Sequence, residues 1–205
     1  MIVTEEDRTI REARAAFFAE NGFGADGGYD DAWQEALFGP LPYRVPNPPA
    51  RGAALRVHDL HHVATGYSTD WRGEAEISAW ELGSGIGPVS YAWITIIFGL
   101  FTGLVAHPGP TFRAFVRGRR GLNLFAHPFD AAWLDMSVGA LQRYLRVSAE
   151  PHVATVKDYL AFAGWSIVGA IYGAIAIPFV VAMVFAAAVR QIHAGRCPLS
   201  PRLTA

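Results

Sequence analysis

The chain alternates short amphipathic runs with two long stretches that carry no charged side chain. From Leu82 to Phe112 there is no Asp, Glu, Lys or Arg, and from Tyr159 to Val189 there is none again. Each is long enough to cover a bilayer, which takes about 20 apolar residues. The two are not equivalent. The first contains "GSGIGP" and "HPGP", which leaves Pro88 to Ala106 as its apolar centre. It reads as a buried or lipid-facing helix of the domain. The second, "FAGWSIVGAIYGAIAIPFVVAMVFAAAV", closes on Arg190 and reads as a transmembrane helix. Gly169 and Gly173 give it a small-residue spacing suited to helix contact in lipid. A core helix satisfies the same pattern.

Elsewhere the helical period dominates. Thr4 can cap a helix running to Ala19, with Asp7 three residues on. "NGFGADGG" ends it, and the acids around it read as a turn. Asp30 or Asp31 is expected to start a short helix carrying Trp33 and Leu37. Five prolines between Pro40 and Pro49 exclude a regular element there. Asn47-Pro48-Pro49 reads as the start of a helix to Thr65, stopped by Gly66. Thr69 or Asp70 caps the next, which carries Glu74 and Glu81. "FRAFVRGRRGLNLF" is a basic bend. "DAAWLDMSVGALQRYL" reads as one amphipathic helix, with Trp133, Met136, Leu141, Tyr144 and Leu145 on its apolar side. No β-alternation of length is expected, so the fold class is all-α, with a two-helix site and a C-terminal membrane helix. Three parts follow: 1–50, N-terminal helices and a Pro-rich connection; 51–147, the helical domain; 148–205, linker, membrane helix and tail.

Composition narrows the partners. The 205 residues fit one domain with an appendage, and the net charge of −1 offers no footprint for nucleic acid. The single cysteine, Cys197, excludes an internal disulfide or a thiolate metal cage. "MIVTEEDRTIREAR" is charged and lacks the apolar core of a signal peptide.

The polar chemistry gathers in "HDLHHVATGYSTDWRGE", His58 to Glu74. On a helix, residues four apart share a face, so His58 and His62 are neighbours and Asp59, three before His62, borders them. His61 points elsewhere. Glu74 can fold back from the next helix. Two imidazoles and two carboxylates suit a divalent metal such as zinc, iron or manganese. A surface or core histidine pair is the alternative. The zinc-peptidase pattern His-Glu-x-x-His fits poorly, because Asp59 stands where the glutamate base belongs. A histidine–aspartate phosphohydrolase needs a further histidine upstream, and none precedes His58.

His58-Asp59-x-x-His62 followed by Glu74 resembles the signature of the coenzyme Q (ubiquinone) biosynthesis proteins of the Coq-four type. The likeness extends through Gly66, Thr69, Gly73 and Glu81 and resumes in "GRRGLNL", at Gly118, Arg119, Arg120, Leu122, Asn123 and Leu124, ahead of Trp133 and Leu141. It covers roughly Arg51 to Val147. The resemblance implies an all-helical fold and a divalent metal, often zinc, held by His58, Asp59, His62 and Glu74. It implies a membrane-associated protein that handles prenylated quinone precursors beside other biosynthetic proteins. The implied reaction is an oxidative decarboxylation at ring carbon one, a carboxyl replaced by a hydroxyl. Arg119 and Arg120 can meet an acidic head group; a solvated basic turn is the alternative.

Three functions compete: an enzyme acting on a prenylated benzoate, a metal-stabilised lipid-binding scaffold, and a metal that only pins two helices. A structural site is closed by four protein ligands and a catalytic one keeps a position free. The three arginines after Val189 favour a cytoplasmic C-terminus. Chemistry on a quinone ring favours a metal domain facing the cytoplasm, which leaves the tail outside; this second arrangement is the one expected.

Overall fold

The computed structural model describes residues 5–38, 41–148 and 152–193. Thr4 and Cys197 lie outside them. Among the described residues are seven α-helices and one two-stranded hairpin: α1 (Ile10–Asn21), β1 (Trp33–Phe38), β2 (Leu41–Pro46), α2 (Pro49–Thr65), α3 (Trp71–Ser84), α4 (Ser90–Ala106), α5 (Pro108–Gly118), α6 (Val138–Leu145) and α7 (Val156–His193).

The helix boundaries follow local chemistry. Thr9 caps α1 through a capping box: its hydroxyl accepts from the Glu12 N–H, and the Glu12 carboxylate accepts from the Thr9 N–H. The first long helix therefore begins after Thr9. Pro48 and Pro49 open α2, and Gly66, at φ 76°, closes it with its N–H on the His62 carbonyl. Asp70 caps α3 by accepting from the Gly73 N–H at 2.7 Å.

Three expectations are corrected. The stretch from Trp33 is not a helix, and the proline-rich run is not irregular. They pair as an antiparallel ribbon, Trp33 opposite Pro46 and Phe38 opposite Leu41. Proline is compatible with extended backbone, and a two-stranded ribbon has a free edge where a missing N–H costs nothing. Pro42 and Pro46 are four apart, so their nitrogens point to the same edge. The run from Asp130 to Leu145 is also two pieces, a 3₁₀ turn at Ala131–Asp135 and α6. The break is held by the N-terminal segment: the Ile10 N–H donates to the Met136 carbonyl and the Val138 N–H to the Arg8 carbonyl. Ser137 then caps α6, and Tyr144 is left exposed.

α3 is the central helix, packed on α4 and α5. Its approach to α5 is close enough that a Cβ at Gly118 would overlap the Trp80 carbonyl oxygen. Trp80, Phe115, Leu60, Ile10, Leu124, Phe125, Leu141 and Leu145 are fully enclosed. α4 is partly core: Ala92, Ile96 and Leu100 are buried, while Ile94 and Val105 are exposed.

α7 is different. It is 38 residues long, about 57 Å at 1.5 Å per residue. The most apolar 18-residue window within Val156–Ala182 has a mean hydropathy of 2.0, yet only 11% of it is buried. Ile167, Ile171, Ile175 and Phe179 are exposed. The helix is long and apolar enough to cross a membrane, and the protein does not enclose it as it would a core helix. Gly169 and Gly173 face α4 within the same chain, against Leu100, Leu104 and Phe101.

Candidate metal centre

α2 sets His58 and His62 one turn apart, and α3 brings Glu74 to them from its first turn. The two Nε2 atoms are 3.1 Å apart. Glu74 Oε2 lies 3.4 Å from His58 Nε2, and Glu74 Oε1 lies 3.4 Å from His62 Nε2. One ligand atom from each of the three falls within 4.8 Å of the others. This group can hold a metal ion.

The outer ring nitrogens show why the inner ones suit a cation. His62 Nδ1 is 2.9 Å from the Tyr67 carbonyl oxygen. A carbonyl only accepts, so Nδ1 carries the proton. His58 Nδ1 is 2.9 Å from Glu81 Oε1, a carboxylate acceptor. Neutral imidazoles in these tautomers turn two Nε2 lone pairs toward each other across 3.1 Å, with a carboxylate beside them. That arrangement requires a positive species between them, a proton or a metal. The ionisation preferences agree. Burial works to lower the His58 pKa, but the Glu81 charge and the Glu74 hydrogen bond raise it well above the usual histidine value. Burial works to raise Glu74 and Glu81, but the hydrogen bonds and charges of the histidines hold each carboxyl at about 2.

Asp59, the fourth expected ligand, stands apart from the group of three. Its Oδ2 accepts from the Tyr29 hydroxyl at 2.6 Å. It is buried, and burial pushes its carboxyl up. Adjacent residues on a helix are rotated by about 100°, so when His58 faces α3, Asp59 faces the loop after α1. Tyr29 reaches it from that loop. His61 does turn away from the group: its Nδ1 is 2.7 Å from Glu81 Oε1, and its Nε2 accepts from the Leu124 N–H at 2.9 Å.

Arg119 and Arg120 bind within the chain. Arg119 Nε is 2.7 Å from Asp158 Oδ1, and Arg120 holds both oxygens, at 3.1 and 2.6 Å. They fasten the start of α7 to the turn after α5. They are also remote from the ligand group. The Arg119 backbone nitrogen lies beside Gly83, which is nine residues beyond Glu74, about 13 Å along α3.

Phe17 stacks on His62 at 5.5 Å and covers one side of the site. Glu74 leaves the other side open, its side chain 42% exposed. α4 runs behind Glu74: a Cβ at Gly99 would sit 3.4 Å from the Glu74 carbonyl oxygen. Sequence reasoning missed the roles of Glu81, His61 and Tyr29. Only Glu81 left a readable signal, seven residues and so two turns after Glu74 on the same face. No family model, curated protein or solved structure matches the chain.

Proposed function

We propose that this chain is a metal-dependent enzyme of ubiquinone biosynthesis, acting on a prenylated benzoate at ring carbon one and replacing its carboxyl by a hydroxyl. The observation that carries the reading is the group itself. His58, His62 and Glu74 converge with tautomers preset for a cation, while Asp59 is engaged by Tyr29. Three protein ligands leave a position free, as catalytic centres do. Glu74 is the exposed member, so a substrate has an approach there.

A bound zinc, iron or manganese ion would supply Lewis acidity toward the substrate's oxygens. The chain's own residues do the rest. His58 and His62 would hold the ion and Glu74 would balance its charge, while Asp59 stays with the Tyr29 hydroxyl. The net change breaks the ring–carboxyl bond to release carbon dioxide and forms a ring–oxygen bond. With water as the oxygen source two protons and two electrons are also released, which dioxygen or an electron-accepting partner must take; dioxygen can itself supply the oxygen atom. Zinc does not change oxidation state. α4 and α7 supply apolar surface for a prenyl tail and for membrane lipid. In this reading the metal domain faces the cytoplasm, α7 is its anchor and other quinone-biosynthesis proteins are its neighbours.

The test is a clean deletion in the source organism, read by lipid mass spectrometry and complemented with the wild-type gene or with His58→Ala. The expected result is low quinone and a prenylated precursor that still carries its carboxyl, restored by wild type alone. Normal quinone would reject the reading. Accumulation of already decarboxylated intermediates would replace it with a metal-stabilised scaffold.

A further inference from the structure

We propose that Glu81, locked by His61, is a positioning residue that fixes His58 as a metal ligand; the proposal rests on the metal reading above. The chain of constraint starts at a backbone amide. The Leu124 N–H can only donate, so His61 Nε2, 2.9 Å away, is the lone-pair nitrogen. Neutral His61 therefore carries its proton on Nδ1, which lies 2.7 Å from Glu81 Oε1. That oxygen accepts from His61, and His58 Nδ1 approaches the same oxygen at 2.9 Å. His58 must donate too. Once a metal displaces the proton held on the other side of the ring, its Nε2 presents a lone pair toward His62 and Glu74. One amide on the segment after α5 thus fixes the His61 ring, and that ring holds the Glu81 oxygen to which His58 Nδ1 donates.

The segment is held firmly enough to act as a reference. The Asn123 side-chain amide donates to the Glu81 and Gly85 carbonyls and to Ser84 Oγ, and its oxygen accepts from the Phe125 N–H. The second sequence block, which contains Asn123 and Leu124, thereby reaches the metal group without touching it. Stability alone does not account for Glu81. It is fully buried, and among the described residues no group donates to its Oε2. A buried carboxylate so served is costly, and an apolar residue of similar volume would commonly be neutral or better. A carboxylate behind a ligand imidazole, by contrast, orients the ring and raises its basicity, and its loss typically costs 10–100-fold in metal affinity.

The experiment uses the full chain in detergent, loaded with Co(II), comparing wild type with Glu81→Gln. The expected result is a folded variant whose Co(II) affinity falls about 10–100-fold and whose visible ligand-field bands are shifted at saturating metal. Unchanged affinity and bands in a folded variant would overturn the proposal. Failure of the wild type to bind Co(II) would instead overturn the metal reading beneath it. Should Glu81→Gln not fold, ¹⁵N-histidine spectra of the zinc-loaded wild type decide. Nδ1-protonated tautomers at both His58 and His61 are expected, and an Nε2-protonated ring at either position overturns the proposal.

Discussion

Arg120 grips Asp158 with both terminal nitrogens, NH1 on Oδ1 at 3.1 Å and NH2 on Oδ2 at 2.6 Å. The Asp158 side chain is 1% exposed and that of Arg120 34%. The pair joins the turn after α5 to the first turn of α7, beside the aromatic contacts that also seat that helix. Removing the carboxylate strands two cations that water reaches in part. Breaking a fully buried pair costs about 3–5 kcal/mol; the exposed guanidinium side reduces this to about 1–3 kcal/mol for Asp158→Asn. Thermal unfolding in detergent measures it. Metal content should not change, because the neighbouring Arg119 backbone sits beside Gly83, about 13 Å along α3 from Glu74. Loss of metal in this variant would show the two regions to be coupled.

The metal itself is tested by removing its ligands. One divalent ion per chain is expected, and the double change His58→Ala/His62→Ala should abolish it. Elemental analysis of purified protein reads the result. Full occupancy in the double variant would move the ion elsewhere. Glu74→Gln is the finer probe: its carboxylate sits in the first turn of α3, where the helix dipole alone favours it by about 0.3–1 kcal/mol. A folded Glu74→Gln protein with weakened metal binding separates ligation from that dipole contribution.

Metal binding should depend on pH. His58 is raised above 6.5, so in the metal-free protein its stabilising contribution is present below 6.5 and lost as pH rises through the raised folded value. Glu74 and Glu81 are lowered from 4.5 to about 2, so theirs is present above 4.5 and lost as pH falls toward 2. These are two sides of one set of interactions and are not to be counted twice. His61 runs the other way: burial lowers it, and it costs stability as pH falls below 6.5. A metal must displace the proton that His58 holds in the metal-free protein. Zinc affinity is therefore expected to rise with pH until the raised His58 value is passed and then to level off, measured by calorimetry. A flat profile would show that no such proton is displaced.

How much of this was legible depended on distance along the chain. The ends of α2 and α3 were written locally in Pro48-Pro49, Gly66 and Asp70. The spacing of His58 and His62 then placed two ligands, and one tight turn brought in Glu74. Tyr29 and Asp59 are 30 residues apart, and Leu124 and His61 are 63 apart; no local pattern announces either contact. The hairpin did leave a trace, since Leu41, Tyr43 and Val45 alternate with Pro42, Arg44 and Pro46. Proline's helix-breaking character hid it, although the same residues tolerate extended backbone. Arg119 and Arg120 suggested an anion, and the anion proved to be Asp158 of the same chain.

The last prediction concerns what surrounds α7. Ile171 and Ile175 are 58% and 61% exposed and four apart, so they share a face. Gly169 and Gly173 turn toward α4 instead. In water, replacing an exposed isoleucine by arginine changes stability within about 0.5 kcal/mol. In a bilayer, an arginine at mid-helix costs about 2.5–3.5 kcal/mol. Neither residue touches the metal group, and neither packs against the aromatic cluster of Phe112, Phe115, Tyr159 and Phe162 that seats the start of α7. Ile171→Arg/Ile175→Arg should therefore release the chain from carbonate-washed membranes while leaving its metal content intact. Retention of the double variant in the washed membrane at wild-type level would show that this face of α7 does not meet lipid.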